Sequence, residues 1–348
     1  MKFRKQVLDT LNKCYQMANI AYNGEHHIVV AAEKQDQCYL YNHNLERKAT
    51  IWENPGGTMS IIPLEDFEGS FLATQKFHSP NDSAEARIVY VKPEDENYNF
   101  SVRIIANVPF AHRFDVLKGQ DGTKYILVCA LKSGHDYKDD WTKPGKTYFV
   151  ELPKDLDNCE VLEEKDFTVI QEDMLKNHGY YKHIENGIEK GIISCDSGVY
   201  LYTPPKIKGE KWKIETLVNH PSSDATLIDL DGDGQDELVA ISPFHGHKLR
   251  IYKKINGKFE LIKEFEEDFE FLHAIWSGKL KGKNVVVLGH RRAEMKTFVL
   301  YYENNSYKYD IIDEGYGAAN INYFVKDNEE YLISANRETD EIALYIVE

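Results

Sequence analysis

Residues that staple or anchor a fold are scarce in this chain. Five cysteines, Cys14, Cys38, Cys129, Cys159 and Cys195, are spread over 348 residues. Their number is odd and no pair has C-x-x-C spacing, so neither a disulfide framework nor a thiolate metal centre is expected. No apolar run approaches the roughly 20 residues that a membrane-spanning helix needs. Positive charge is also short: 42 Lys and Arg stand against 57 Asp and Glu, a net charge of −15. With no basic stripe, nucleic acid is not an expected partner. Nothing apolar follows Met1 to Gln6, so no secretory leader is expected and a cytoplasmic location is. The G-x-S-x-G elbow, the P-loop and a helix-opening G-x-G-x-x-G are all missing. Helix-favouring windows rich in Ala and Leu are scarce.

Short aromatic and β-branched segments take their place. Aromatic residues make up 12% of the chain, with 22 tyrosines, a composition that suits many short strands. One pattern recurs along the chain: a strand, a turn, a strand ending in a small and a polar residue, then two more strands. Its first strands begin near Ala18, Thr58, His112, His178, Asp224, His273 and Asn320. Seven copies fit, except that the last stops one strand short at Ile346. Arg4 to Thr10 reads like the missing fourth strand. The expectation is an all-β, seven-bladed β-propeller of four-stranded antiparallel blades, one domain over residues 1–348, with residues 2–10 completing the last blade. Two insertions, Lys76 to Ala86 and Ser133 to Lys146, follow second strands and should share one face.

The fifth copy carries an acidic turn between its first two strands. Asp229, Asp231, Asp233, Gly234 and Glu237 spell D-x-D-x-D-G-x-x-E, with oxygen-bearing groups at alternate positions of a curled loop, as a hard cation prefers. Glu237 comes too early for an EF-hand, and no helix pattern flanks the loop. The motif resembles the FG-GAP (VCBS-type) repeat of β-propellers. That resemblance implies a structural calcium ion held by the side chains of Asp229, Asp231, Asp233 and Glu237 and the main chain of Gln235.

In a propeller the first strand of each blade lines the central channel. The residues opening those strands, Asn19, Thr58, His112, His178, Asp224, His273 and Asn320, are all polar, and three are histidines. Neutral imidazoles bind transition metals, and three of them leave positions open for substrate. His112, His178 and His273 are therefore the expected ligands of a divalent metal (Mn, Fe, Ni or Zn), with Asp224 a fourth ligand or an orienting group. Around them, Glu33, Lys76, Arg291 and Arg337, with Trp141 in the second insertion, are expected to bind substrate together with Asn19 and Asn320. His245, His290, Lys132 and Tyr137 are the proton-transfer candidates. A repeat of this type with central histidines resembles the propeller part of aldos-2-ulose dehydratase and propeller-type polysaccharide lyases. The resemblance implies β-elimination on a small keto-sugar or uronate. The alternative is a non-catalytic propeller that binds a glycan or a protein.

Overall fold

The computed structural model describes residues 1–348. Its strands form seven antiparallel sheets arranged as a ring of blades. Blade 1 is built from Cys14–Tyr22, Glu25–Ala32, Cys38–Tyr41 and Arg47–Trp52, and blade 4 from Gly179–Glu185, Ile188–Cys195, Gly198–Thr203 and Lys213–Val218. Blade 5 opens with Asp224–Ile228 and Glu237–Ser242, and blade 6 with Leu272–Leu280 and Lys283–His290. Blade 7 contributes Asn320–Lys326, Glu329–Asn336 and Glu341–Val347, and Phe3–Thr10 pairs antiparallel with its last strand. The N-terminal strand thus closes the ring, as the repeat pattern requires. No helix is long and apolar enough to cross a membrane.

Hydrophobic clusters between neighbouring blades hold the ring together, and strand periodicity explains them. Successive side chains of a strand point to opposite faces of its sheet. In blade 1, Ile28, Val30 and Ala32 pack against blade 7, whereas Val29 and Ala31 pack against blade 2. Both faces are dry, so the second strands are continuous apolar runs rather than alternating ones. In blade 7, Ile333 and Ala335 face blade 1 while Leu332 faces blade 6.

Three features depart from the repeat pattern. The first strand of blade 1 begins at Cys14, four residues before the expected Ala18. The first strand of blade 2 is only Ile61–Pro63, cut short by its proline, which has no N–H to extend a ladder. The connection after Glu151 in blade 3 folds back as Leu162–Glu163, a fifth strand parallel to Phe100–Asn107 of blade 2.

Candidate metal centre at the channel rim

First strands of three blades open with the same irregularity. Pairing jumps from Cys14 to Gln16 in blade 1, from Ala111 to Arg113 in blade 3 and from Leu272 to Ala274 in blade 6. The skipped residues are Tyr15, His112 and His273. A bulge leaves its extra residue out of the ladder and re-aims the side chain. Here the three side chains turn onto the rim of the channel, where His178, just ahead of blade 4, joins them.

Main-chain carbonyls orient the imidazoles. His112 Nδ1 lies 2.9 Å from the carbonyl of His178, His178 Nδ1 lies 3.0 Å from that of Ser223, and His273 Nδ1 lies 2.7 Å from that of Ala319. A carbonyl only accepts, so Nδ1 carries the proton in each ring and Nε2 presents a lone pair. His245 completes the group from the turn Pro243 to His247. Its φ of +47° is left-handed, and its N–H donates to Ser223 Oγ at 3.2 Å. Gly246 makes that turn possible, since a Cβ there would lie 2.4 Å from both Pro243 N and Ser242 O.

Ligand atoms of His178, His245 and His273 all lie within 4.8 Å of one another. The Nε2 atoms of His178 and His245 are 3.2 Å apart. Two nitrogens bound to one ion at about 2.0–2.1 Å stand roughly 3–3.4 Å apart, so the His178–His245 pair is at the spacing of two ligands of a transition metal, with His273 alongside. His112 is not in this group: it stacks face to face on His178, with ring centres 4.3 Å apart. The structure therefore puts His245, expected as a proton carrier, in the position foreseen for His112. Tyr15 adds a hydroxyl 3.1 Å from His273 Nε2 and is 1% exposed.

Aromatic rings seal the group. Phe244 stacks on His245 at 3.9 Å, Phe271 meets it edge-on at 4.3 Å, and Phe77 meets His112 edge-on at 5.0 Å. Burial pulls His178 down to about 3, aided by the positive charge of Arg113. Burial and the neighbouring charges likewise hold His112, His245 and His273 well below the ordinary histidine value. All four are therefore neutral near pH 7, the form that binds metal. Asp224 is buried beside Ser223, and desolvation pushes its carboxyl up to about 7 against the pull of Arg113.

The expected substrate groups are mostly engaged with one another. Glu33 pairs with Arg337, Arg337 NH1 reaches Glu338 at 3.1 Å, and Arg291 NH2 reaches the same Glu338 at 2.6 Å. The result is a charge-balanced chain beside the histidines rather than a free cationic ring. Lys132 is completely buried, donating to Asn81 Oδ1 at 2.8 Å and to the Asp140 carbonyl at 2.7 Å. It ties the two insertions together and is closed to substrate. Tyr137 is 62% exposed on the second insertion, and Trp141 lies edge-on to Phe244 at 5.4 Å. Lys76 pairs with Glu85 at 2.7 Å, within its own insertion. His290 is buried away from the metal group, with Nδ1 3.3 Å from the Glu270 carbonyl and Nε2 unpartnered. Asn19 lies along its strand rather than at its opening, because the strand starts earlier than expected; its Nδ2 donates to the Tyr323 carbonyl of blade 7 at 2.8 Å. Asn320 instead braces the rim, donating to the Tyr15 carbonyl at 2.8 Å.

Sequence reasoning missed Tyr15, Arg113 and Phe271. Tyr15 was recoverable: aligning Tyr15-Gln16 with His273-Ala274, rather than starting the copy at Ala18, places it beside the histidines. A hollow of about 300 Å³, bounded by His245, His247, Asp268, Glu270, Phe271 and Arg292, opens next to the group.

The acidic turn of blade 5 also gathers as expected, with ligand atoms of Asp229, Asp231 and Glu237 within 4.8 Å of one another. A calcium ion does not fit there alongside the neighbouring lysine, however. Lys253 Nζ sits among the carboxylates, paired with Asp231, 2.9 Å from Asp233 Oδ2 and 3.1 Å from Glu237 Oε1.

No protein-family model matches the chain, and no curated protein sequence does either. Solved structures share its fold. It is similar to the Dos1 propeller, at 9% identity and a TM-score of 0.59 over 99% of this chain and 81% of that one. It is also similar to a putative 6-phosphogluconolactonase from Bacteroides uniformis, at 14% identity and a TM-score of 0.58 over 96% of this chain and 92% of that one. A glucose dehydrogenase matches at 14% identity and a TM-score of 0.52 over 99% of both chains. At these identities the likeness establishes the propeller fold alone.

Proposed function

We propose that His178, His245 and His273 hold a divalent transition metal, and that the protein is a carbohydrate lyase or dehydratase acting on a small keto-sugar or uronate. One observation carries this reading: three neutral imidazoles from the rims of three blades meet within 4.8 Å. Two of them have Nδ1 tied to a carbonyl, which turns Nε2 toward the shared centre, where Tyr15 donates to His273 Nε2 and His245 Nε2 lies 3.2 Å from His178 Nε2. A bound ion would supply Lewis acidity at a keto or carboxyl oxygen.

The chain's own groups then have defined tasks. Tyr15, with its hydroxyl 3.1 Å from His273 Nε2, can donate its phenolic proton to a departing oxygen. Phe77, Phe244 and Phe271 keep water away from the reacting atoms. The hollow beside His245 is the entry for substrate. The putative 6-phosphogluconolactonase and the glucose dehydrogenase that share the fold carry the names of sugar-acting enzymes, which agrees with this substrate class. A cytoplasmic location and a small carbohydrate partner are parts of the same proposal.

Elemental analysis of the purified protein, with an anomalous-scattering map of the rim, tests it. A stoichiometric transition metal on the three histidines is the expected result. A metal-free rim after exposure to Mn, Fe, Ni and Zn would leave the glycan- or protein-binding propeller as the better reading.

A further inference from the structure

We propose that Lys253 is a built-in counter-ion that replaces calcium in the acidic turn of blade 5, so that this turn folds and persists without a metal. The turn has the donor set of a calcium loop, yet its carboxylate oxygens are already taken. Asp229 Oδ1 and Oδ2 accept the N–H groups of Gly232 at 2.8 Å and Gly234 at 3.0 Å. Asp231 Oδ1 accepts from Asp233 N at 3.2 Å, and Asp233 Oδ1 from Gln235 N at 2.9 Å. Glu237 Oε2 accepts from Leu230 N at 2.8 Å. The three oxygens left over, Asp231 Oδ2, Asp233 Oδ2 and Glu237 Oε1, all lie within ion-pair distance of the Lys253 ammonium, which hydrogen-bonds Asp231 Oδ2 and leaves Glu237 Oε1 with charge contact but no hydrogen bond. An ammonium has three donors and no acceptor, so it matches three converging oxygens.

Strand register explains how the lysine arrives. Lys248–Ile255 pairs with Glu237–Ser242, and the ladder runs through Leu238 opposite Tyr252. Lys253 and Glu237 are the next residues outward on the two strands, so their side chains emerge side by side. Glu237 is completely buried, and its carboxylate needs a permanent cation or a proton. Burial alone would lower the Lys253 pKa, but its ion pairs with Asp231, Asp233 and Glu237 outweigh that and hold it above the ordinary lysine range. The ammonium is thus a fixed charge. A calcium ion, which takes six to eight oxygens at about 2.3–2.6 Å, would need the same oxygens and would be repelled by that charge. Neighbouring blades hold the turn as well: Asn284 Nδ2 of blade 6 donates to the Asp229 carbonyl at 2.5 Å, and His183 of blade 4 lies 3.5 Å from Asp236.

Calorimetric titration of the full chain with CaCl₂, together with thermal melts in EGTA and in millimolar CaCl₂, tests this. Wild type is expected to show no calcium binding and one melting temperature in both buffers. K253M, which keeps the aliphatic stem and removes the charge, is expected to bind calcium at least tenfold more tightly than wild type and to melt higher in CaCl₂ than in EGTA. A K253M protein that is soluble only with calcium present would support the proposal equally. Wild type that binds calcium, or melts higher with it, would overturn the proposal even if K253M failed to fold. A folded K253M that ignores calcium would overturn it too.

Discussion

At the scale of single residues, the metal proposal separates four histidines that look alike in sequence. His178, His245 and His273 offer converging nitrogens, so H178A, H245A and H273A should each lose the ion. A Lewis acid is worth several kcal/mol at the transition state, so turnover on keto-sugars or uronates should fall about 10²- to 10⁴-fold for each. Double variants should fall little further, because the ion is already gone. H112A should behave differently. His112 supports His178 through its Nδ1 bond to the His178 carbonyl and through stacking, so metal should remain but bind about 10- to 100-fold more weakly. His43, paired loosely with Asp327 at 3.9 Å, is the silent control. Equal metal content in all of these variants would remove the centre. A second residue-scale prediction concerns His290, whose proton affinity burial lowers. Below the ordinary value near 6.5 the unfolded chain binds more protons there than the native one. The stability tied to neutral His290 is therefore present at neutral pH and lost as pH falls below about 6.5. Urea titrations at pH 7 and pH 5 should show a smaller loss for H290Q than for wild type; identical losses would contradict the assignment.

At the scale of elements, the bulges and the insertions decide what the rim presents. Tyr15, His112 and His273 reach the rim because each first strand carries one unpaired residue at its opening. The insertion after Lys132 is held down by that lysine, whose ammonium bonds to both Asn81 and Asp140 and lies 4.4 Å from the Trp141 ring. K132M keeps the stem but leaves those acceptors unpaired, a loss of about 1–3 kcal/mol. Limited proteolysis should then cut between residues 133 and 143 well before the rest of the ring opens. A digestion pattern like wild type's would show that Trp141 and Phe244 alone hold the insertion.

At the scale of the whole molecule, closure by Phe3–Thr10 is what makes seven blades a ring. The strand pairs with blade 7 and also touches both neighbours of that blade. The Met1 amino group lies 3.1 Å from Asp310 of blade 6, and Tyr41 of blade 1 donates to Asp9 at 2.9 Å. Removing Met1–Asp9 would expose the edge of Glu341–Val347 and open the blade 7 clusters to water. In a chain of 348 residues each kcal/mol moves the melting temperature by only about 1–2 °C, and this strand contributes several, so a drop of about 5 °C or more is expected. An unchanged melting temperature would show that the closing strand does not stabilise the ring.

Blade number, strand type and N-terminal closure were legible in the sequence because they rest on repetition and local periodicity. An apolar strand such as Val285 to Leu288 reads the same wherever its blade stands in the ring. The acidic turn was legible for the same reason, being local. The rim was not legible in this way. His178, His245 and His273 belong to different blades, and which of the thirteen histidines meet depends on where each strand bulges and how the blades are rotated about the axis. Asn19 and Tyr15 show the sensitivity: moving the start of one strand by four residues puts a hydroxyl at the rim and turns the expected amide to the neighbouring blade. The partners of charged side chains were equally hidden. The sequence reads Lys132 as a proton-transfer group and Arg337 as a substrate ligand and gives Lys253 no role, and only cross-strand neighbours and packed loops reveal the carboxylates and carbonyls that hold them. Local pattern specifies what each element is. The long-range register and packing that bring elements together decide which polar groups end up dry, paired and close enough to share an ion.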